Sequence, residues 1–467
     1  MSRELEGRIS GEPLYGLAGG VGVTRPGAET STRATAGMRD LRLDLFRGVA
    51  LFLIFVDHIP GNVLSHFTIQ SVGFSDAAEI FIYISGYTAA LVYGRLMLER
   101  GRFIATVKIL HRVWQLYVAH IFILVIFTAL VAYNTLAFEQ AVYGKTLRVA
   151  KFFAEPHIAV IRALELRFQP AFLDILPLYI VLLAAFPLVL ILLRRHAVAA
   201  LVPSLGIYIA AYGFGLSLYG YPGYHPWFFN PLAWQFLFVI GAALGYARAT
   251  GRVTPSMPGW LFGLALLTLA GSALIRLSWT VHSVWETFPA ILIGQLWPVD
   301  KTDLAPIRLA HFLALAILVV RLIPADARFL RSRLARPIVR CGQQSLQVFC
   351  LGILLSVLGY FLFAEWSDSL ATQLIVNITG VAVMIGVGEL ITWYRTIDRD
   401  KAPVAGRNDH RSEHSPDTPR SLLLGDAGPR VFPPMLLDTA ISDTVFRGRS
   451  GGLRSTITKN KPHRAAT

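Results

Sequence analysis

Apolar residues in this chain arrive in about ten blocks, each about 17–25 residues long, the length an α-helix needs to cross a hydrocarbon core about 30 Å thick. Composition agrees, because 54% hydrophobic against 15% charged residues is far from the balance of a soluble domain. The expected fold is therefore all-α, a polytopic membrane protein with spans near Leu43–Ile59, Ala77–Leu96, Val113–Leu136, Ala171–Leu193, Ala197–Leu218, Leu232–Arg248, Pro258–Arg276, Leu304–Ile323, Ile338–Phe363 and Ala371–Tyr394.

Basic residues test that count, since cytoplasmic loops retain Lys and Arg. Arg39 and Arg42 precede the first span. Arg95, Arg100, Arg102, Lys108 and Arg112 fill the second loop, Arg194 and Arg195 the fourth, and Arg248 and Arg252 the sixth. The eighth carries Arg321, Arg328, Arg331, Arg333, Arg336 and Arg340, and Arg395, Arg399 and Lys401 follow the tenth span. The first, fifth and ninth loops (Pro60–Asp76, Tyr219–Pro231 and Ala364–Leu370) contain no Lys or Arg. Both termini are accordingly expected in the cytoplasm of a bacterial cell, with the chain in the inner membrane. The exception is the third loop, Ala137–Pro170, with Lys145, Arg148, Lys151, Arg162 and Arg167, which reads as a small periplasmic subdomain.

The domain reading is a disordered cytoplasmic N-terminus over 1–38, a membrane domain over 39–396, and a disordered basic tail over 397–467. The opening residues lack an apolar run, so no cleavable signal peptide is expected and the first span serves for insertion. A net charge of +14 would suggest nucleic acid in a soluble protein, but here it reports retained cytoplasmic cations and predicts no nucleic-acid partner. Cys341 and Cys350 stand nine residues apart in one apolar segment, about 13 Å along a helix axis, too far for a disulfide. No internal repeat, phosphate-binding loop, dinucleotide fingerprint or metal-ligand cluster is present in the sequence, and no metal or permanently bound cofactor is expected.

Ionisable groups cost at least a few kcal/mol at the centre of a bilayer, so those inside the spans are the candidates for chemistry. Arg47 and His58 are eleven steps apart, which at about 100° per step brings them within about 20° of one helical face and about 16 Å apart axially. One face thus offers an anion-binding cation near the cytoplasm and a titratable base near the periplasm; alternatively, Arg47 pairs with Asp44 at the interface and His58 caps the helix. Glu79 begins the second span, where a carboxylate is either protonated or partnered, with His58 and Arg308 as the candidate partners. Asp174, Arg308 and His311 fall at the same level, either ringing a cavity around His58 or joining helices through an Asp174–Arg308 ion pair. The loop Tyr219 to Asn230, with Trp227 within it, reads either as an interfacial aromatic belt or as a platform for sugar rings. The basic segment from Arg321 to Arg340 either marks topology or binds coenzyme A phosphates.

Arg47, ten residues and His58, followed by Glu79-Ile80-Phe81-Ile82-Tyr83-Ile84-Ser85-Gly86-Tyr87, resembles the signature of the acyltransferase-3 superfamily of membrane acyltransferases. The resemblance is closer to its OpgC branch, which succinylates osmoregulated periplasmic glucans. That likeness runs through Arg42-Leu43-Asp44, Arg47-Gly48, Asp57-His58, Asp174-Ile175-Leu176-Pro177-Leu178-Tyr179 and Phe229-Asn230-Pro231 with Trp234-Gln235. It continues in Asp300-Lys301-Thr302, Arg308-Leu309-Ala310-His311-Phe312 and Gly342-Gln343-Gln344-Ser345-Leu346, covering roughly Asp40–Tyr394. Glu79 departs from the superfamily, which usually has Asp there. The resemblance implies that His58 is the essential catalytic residue and that Arg47 assists toward the acyl donor.

The expected function is O-acyl transfer, of succinyl from succinyl-CoA as co-substrate onto a hydroxyl of a periplasmic glucan. His58, which unperturbed titrates near about 6.5, acts as base, with Glu79 as its orienter. Asp57 points about 100° away and orients His58 only if the helix frays there. Asp44, Asp57, Asp174, Trp227, Arg308 and His311 are the expected substrate-binding groups. Partners are acyl-CoA, glucan and membrane lipid. A rival class is a multi-pass transporter for an anionic solute or glycan using Arg47, Glu79, Asp174, Arg308 and His311 as its path. A membrane anchor for a cytoplasmic partner explains the ends of the chain but not the buried charges.

Overall fold

The computed structural model describes residues 40–252, 257–280 and 299–401, so the expectations for 1–38 and for most of the tail lie outside the described residues. The framing helices are α1 (Leu41–Asp57), α2 (Ala77–Ala137), α3 (Ile175–Arg195), α4 (Ala197–Phe214) and α5 (Pro231–Ala249). They continue as α6 (Gly259–Thr280), α7 (Pro306–Leu322), α8 (Ala335–Gln343), α9 (Ser345–Glu365) and α10 (Leu370–Lys401). Among the described residues the β features are two isolated bridges, Phe168 with Tyr221 and Tyr219 with Pro226, so the protein is all-helical.

Among the described residues, seven helices are long and apolar enough to cross a membrane: α2, α3, α4, α5, α6, α9 and α10. Two features separate this number from the sequence expectation. The spans expected at Ala77–Leu96 and Val113–Leu136 fall within one 61-residue element, α2. A continuous helix of that length would run about 90 Å, three times a hydrocarbon core, so the element has to act as two arms. They meet at Gly101 (φ 87, ψ 168), a conformation open to a residue without Cβ. In addition, α1 and α7, with 17 residues each, are shorter than any of those seven. The segment expected as one helix over Ile338–Phe363 is instead split at Gln344 (φ −104, ψ 33) into α8 and α9, with one cysteine on each, both free.

Helix starts follow local chemistry. Asp40 Oδ1 accepts from Arg42 N (3.1 Å) to open α1, and Asn230 Oδ1 accepts from Leu232 N (3.1 Å) ahead of Pro231 to open α5. Asp76 and Glu79 form a reciprocal capping box at α2, with Ala78 N donating to Asp76 Oδ1 (2.8 Å) and Asp76 N donating to Glu79 Oε2 (2.9 Å).

Packing rests on glycines that let backbones touch. A methyl on Gly86 of α2 would strike the Phe238 carbonyl of α5, and methyls on Gly241 and Gly245 of α5 would strike the carbonyls of Tyr83 and Tyr87 on α2. The same holds between α1 and α8, where Gly48 lies against the Ile338 carbonyl and Gly342 against that of Asp44. Large apolar side chains remain outside, among them Phe122 on α2, Trp260 and Leu267 on α6, and Ile375 and Ile378 on α10. An aqueous surface rarely carries so many. Together with the apolar helices they describe a multi-pass membrane protein.

Substituting Gly241→Val should force α2 and α5 apart and cost about 1–3 kcal/mol, as overpacking does. Gly263→Ala, where nothing lies within 4 Å, should leave thermal unfolding in detergent unchanged or slightly raised. Equal melting of Gly241→Val and wild type would contradict the close α2–α5 contact.

Candidate active site

At the end of the bundle where α1 stops, a cavity of about 180 Å³ gathers residues from elements distant in sequence. Asp57 and His58 come from the end of α1, Asp76 from the start of α2, Asp174 from the start of α3, Phe228 and Phe229 from the approach to α5, and Lys301 from the approach to α7. Arg148 and Phe172, from the two sides of the subdomain after α2, complete the wall with Gln70.

His58 follows the last turn of α1, and its backbone N still donates to the Ile54 carbonyl (3.0 Å). Its Nδ1 stands 2.6 Å from the same carbonyl oxygen. A carbonyl oxygen only accepts, so Nδ1 carries the proton and the neutral ring keeps its lone pair on Nε2. Phe172 meets the ring edge-on at 4.7 Å between centroids, fixing its tilt. The orienter of His58 is therefore its own helix, and the expectation that Glu79 fills this role is corrected: the Glu79 carboxylate is engaged elsewhere.

That engagement is a buried ionic network. Arg308 Nε donates to Glu79 Oε1 (2.8 Å), Arg308 Nη2 donates to Asp76 Oδ2 (3.1 Å), and Lys301 Nζ stands 2.7 Å from the same Asp76 oxygen. Glu79 is fully buried, and Asp76 and Arg308 nearly so. Burial works against the charge on Asp76, but Lys301 and Arg308 beside it hold its carboxyl well below the usual carboxylate range. Of the two partners expected for Glu79, Arg308 is the one taken.

Of the two readings of Asp174 and Arg308, the ion pair between them does not form, because Asp174 accepts from Arg148 Nη2 (3.2 Å) while Arg308 serves α2. His311 does not reach the cavity either: its Nδ1 shares a hydrogen bond with Ser75 Oγ (2.7 Å) and its ring lies over Gly73. Trp227 is buried at 4% exposure and leaves the cavity wall to its neighbours Phe228 and Phe229. At the far end of α1, Arg47 Nη2 donates to Thr88 Oγ1 of α2 (2.9 Å), and Asp44 accepts from Gln343 Nε2 of α8 (3.3 Å). Within the basic segment near α8, Arg340 pairs with Glu389. His58, Asp57 and Asp174 thus share the cavity, Glu79 and Arg308 stand behind it, and Arg47 and Asp44 lie at the opposite end of the same helix.

Sequence reasoning passed over Arg148 and Phe172 as site residues. Both adopt left-handed backbone (φ 56 and φ 72), which costs a bulky residue about 1–2 kcal/mol and is held only where surroundings enforce it. Their chain neighbours are joined by a hydrogen bond from Ala171 N to the Leu147 carbonyl (3.1 Å), so one backbone contact locks both. The available signal was the anomaly itself: Arg148 sits in the loop whose basic residues broke the charge alternation.

The family described as OpgC protein matches residues 39–396 of the chain. No curated protein and no solved structure matches it at a significant level.

Asp76→Asn should leave Lys301 and Arg308 with one carboxylate fewer and destabilise the protein by about 3–5 kcal/mol, read from thermal unfolding. Because the folded-state pKa of Asp76 is lowered, its contribution is present above the ordinary aspartate value near about 4 and is lost as pH falls through the lowered value. An unchanged melting temperature in Asp76→Asn would show that the network carries no stability.

Proposed function

The chain belongs to the OpgC family, and from that premise we propose that it is a membrane O-acyltransferase that moves succinyl from cytoplasmic succinyl-CoA to a hydroxyl of a periplasmic glucan. In this reading the helices provide about ten crossings of the bacterial inner membrane, both termini lie in the cytoplasm, and the family relation extends to the wider acyltransferase-3 branch. The subdomain over 137–170 then lies in the periplasm, and 39–396 is the acyltransferase domain. Arg47, at the end of α1 remote from the cavity, lies toward the donor's anionic part.

The observation that carries the proposal is the hydrogen bond from His58 Nδ1 to the Ile54 carbonyl in the wall of a cavity. It leaves Nε2 with the lone pair that a general base needs. The glucan hydroxyl gives its proton to Nε2 as its oxygen attacks the thioester carbonyl carbon, a C–O bond forms, and the C–S bond breaks. The departing thiolate of coenzyme A then takes a proton, returning His58 to its neutral form. The starts of α2 and α3 border the same cavity, and the positive ends of these helix dipoles favour the negative charge that builds on the carbonyl oxygen.

His58→Ala should lower acyl transfer by about 10²–10⁴-fold while the protein remains inserted and abundant, the usual contribution of a general base. Mass spectrometry of periplasmic glucans from cells with wild-type or variant protein reads the acyl ester directly. Ester content equal to wild type would reject His58 as the base. Solute flux through sealed vesicles in the absence of any acyl-CoA, without acylation, would favour a transporter instead.

A further inference from the structure

The cavity holds more cationic hydrogen-bonding capacity than its own carboxylates use. Arg148 and Lys301 reach it from different parts of the chain and flank the same ring: the Arg148 guanidinium carbon lies 5.9 Å from the Phe228 centroid and Lys301 Nζ lies 5.6 Å from it. Lys301 Nζ also lies 5.3 Å from the centroid of Phe229. Aromatic faces hold cations in place through the ring quadrupole, so the two side chains are positioned without all of their N–H donors being spent.

Arg148 offers five donors in a planar fork. Among the described residues it uses one of them in a hydrogen bond, from Nη2 to Asp174, and 47% of its side chain remains exposed. The ammonium of Lys301 offers three donors, one directed to Asp76, and 29% of its side chain is exposed. Asp76 and Glu79 pair with Lys301 and Arg308, and Asp174 pairs with Arg148, each cation keeping its own carboxylate. An anion brought by a ligand meets donors left over on Arg148 and Lys301.

A cavity of about 180 Å³ is smaller than the pockets that enclose whole drug-sized ligands, so it suits a short acyl group and not a coenzyme. We infer that Arg148 and Lys301 are the residues that receive the free carboxylate at the far end of the acyl group, so that they make the site discriminate against an uncharged acyl chain of equal length. This rests on the acyltransferase reading and assigns the residues that choose its donor. The left-handed backbone of Arg148, locked through Leu147 and Ala171, is what aims a loop residue into the cavity.

The test uses the full chain in detergent or nanodiscs, with succinyl-CoA and butyryl-CoA, which share a four-carbon acyl chain and differ in the terminal charge. Wild type should prefer the succinyl donor. In Arg148→Gln the succinyl-to-butyryl ratio of kcat/KM should fall at least tenfold, as expected for loss of a charge-assisted hydrogen bond, and Arg148→Lys should recover part of it. Lys301→Gln should shift the ratio in the same direction. A ratio within twofold of wild type in Arg148→Gln, or a wild type indifferent to the terminal charge, overturns the assignment, because a merely structural role would lower both donors alike. Binding provides a separate readout: monomethyl succinate, and not methyl butyrate, should raise the melting temperature of wild type, and Arg148→Gln should lose that shift. If wild type transfers neither acyl group, the acyltransferase reading fails; a selective monomethyl succinate shift would then leave the carboxylate site standing, and its absence would remove the site as well.

Discussion

A guanidinium carried into an apolar helix bundle has to meet carboxylates, because neither lipid nor hydrocarbon side chains can replace its water. Arg308 of α7 meets two, Asp76 and Glu79, which already form the capping box that starts α2. The same carboxylates thus end one helix's need for N–H partners and tie that helix to another. Lys301 adds a second cation to Asp76 and reaches the cavity that His58 lines. Removing any member leaves a buried charge short of its partner, which is why so much of the local architecture hangs on this cluster.

From that anchor the site assembles at the ends of helices. α1 stops at Asp57, so that His58 turns back onto the Ile54 carbonyl, and α2 and α3 begin beside it. Helix ends suit such a site because their backbone groups are only partly satisfied and their flanking loops are free to supply side chains. Deeper in the bundle, glycines at α2–α5 and α1–α8 bring backbones into contact and leave little room for movement. A rigid frame of this kind holds the imidazole while the loops carrying Arg148, Phe228 and Lys301 shape what it faces.

Much of the site was visible in the sequence, and for a definite reason. His58, Asp57 and Asp174 stand out because an ionisable residue in an apolar stretch is rare, and all three line the cavity. Glu79 and Arg308 stand out by the same rule, but their role is different from the one assigned: they neutralise each other behind the cavity and leave His58 to its own helix. Trp227 was the conspicuous ring in an aromatic run, yet the chain turns it inward and offers Phe228 and Phe229 to the cavity. Arg148 and Phe172 were hidden among loop residues, since nothing local in an Arg or a Phe announces a positive φ.

The sequence by itself determined the solvent, the helical class and the family, because hydrophobic length and composition are properties of consecutive residues. It also gave the eleven-step spacing that would phase Arg47 and His58 on one face of a continuous helix, whereas the structure ends α1 at Asp57 and leaves His58 at its cap. Which charges pair was decided by tertiary structure. Spacing in the sequence offered Asp174 only Arg308, and only the folding of the subdomain after α2 brought Arg148 to it while α7 carried Arg308 to α2. An ion pair is settled by distances of a few ångströms between residues here 26 to 232 positions apart, and no local periodicity encodes them.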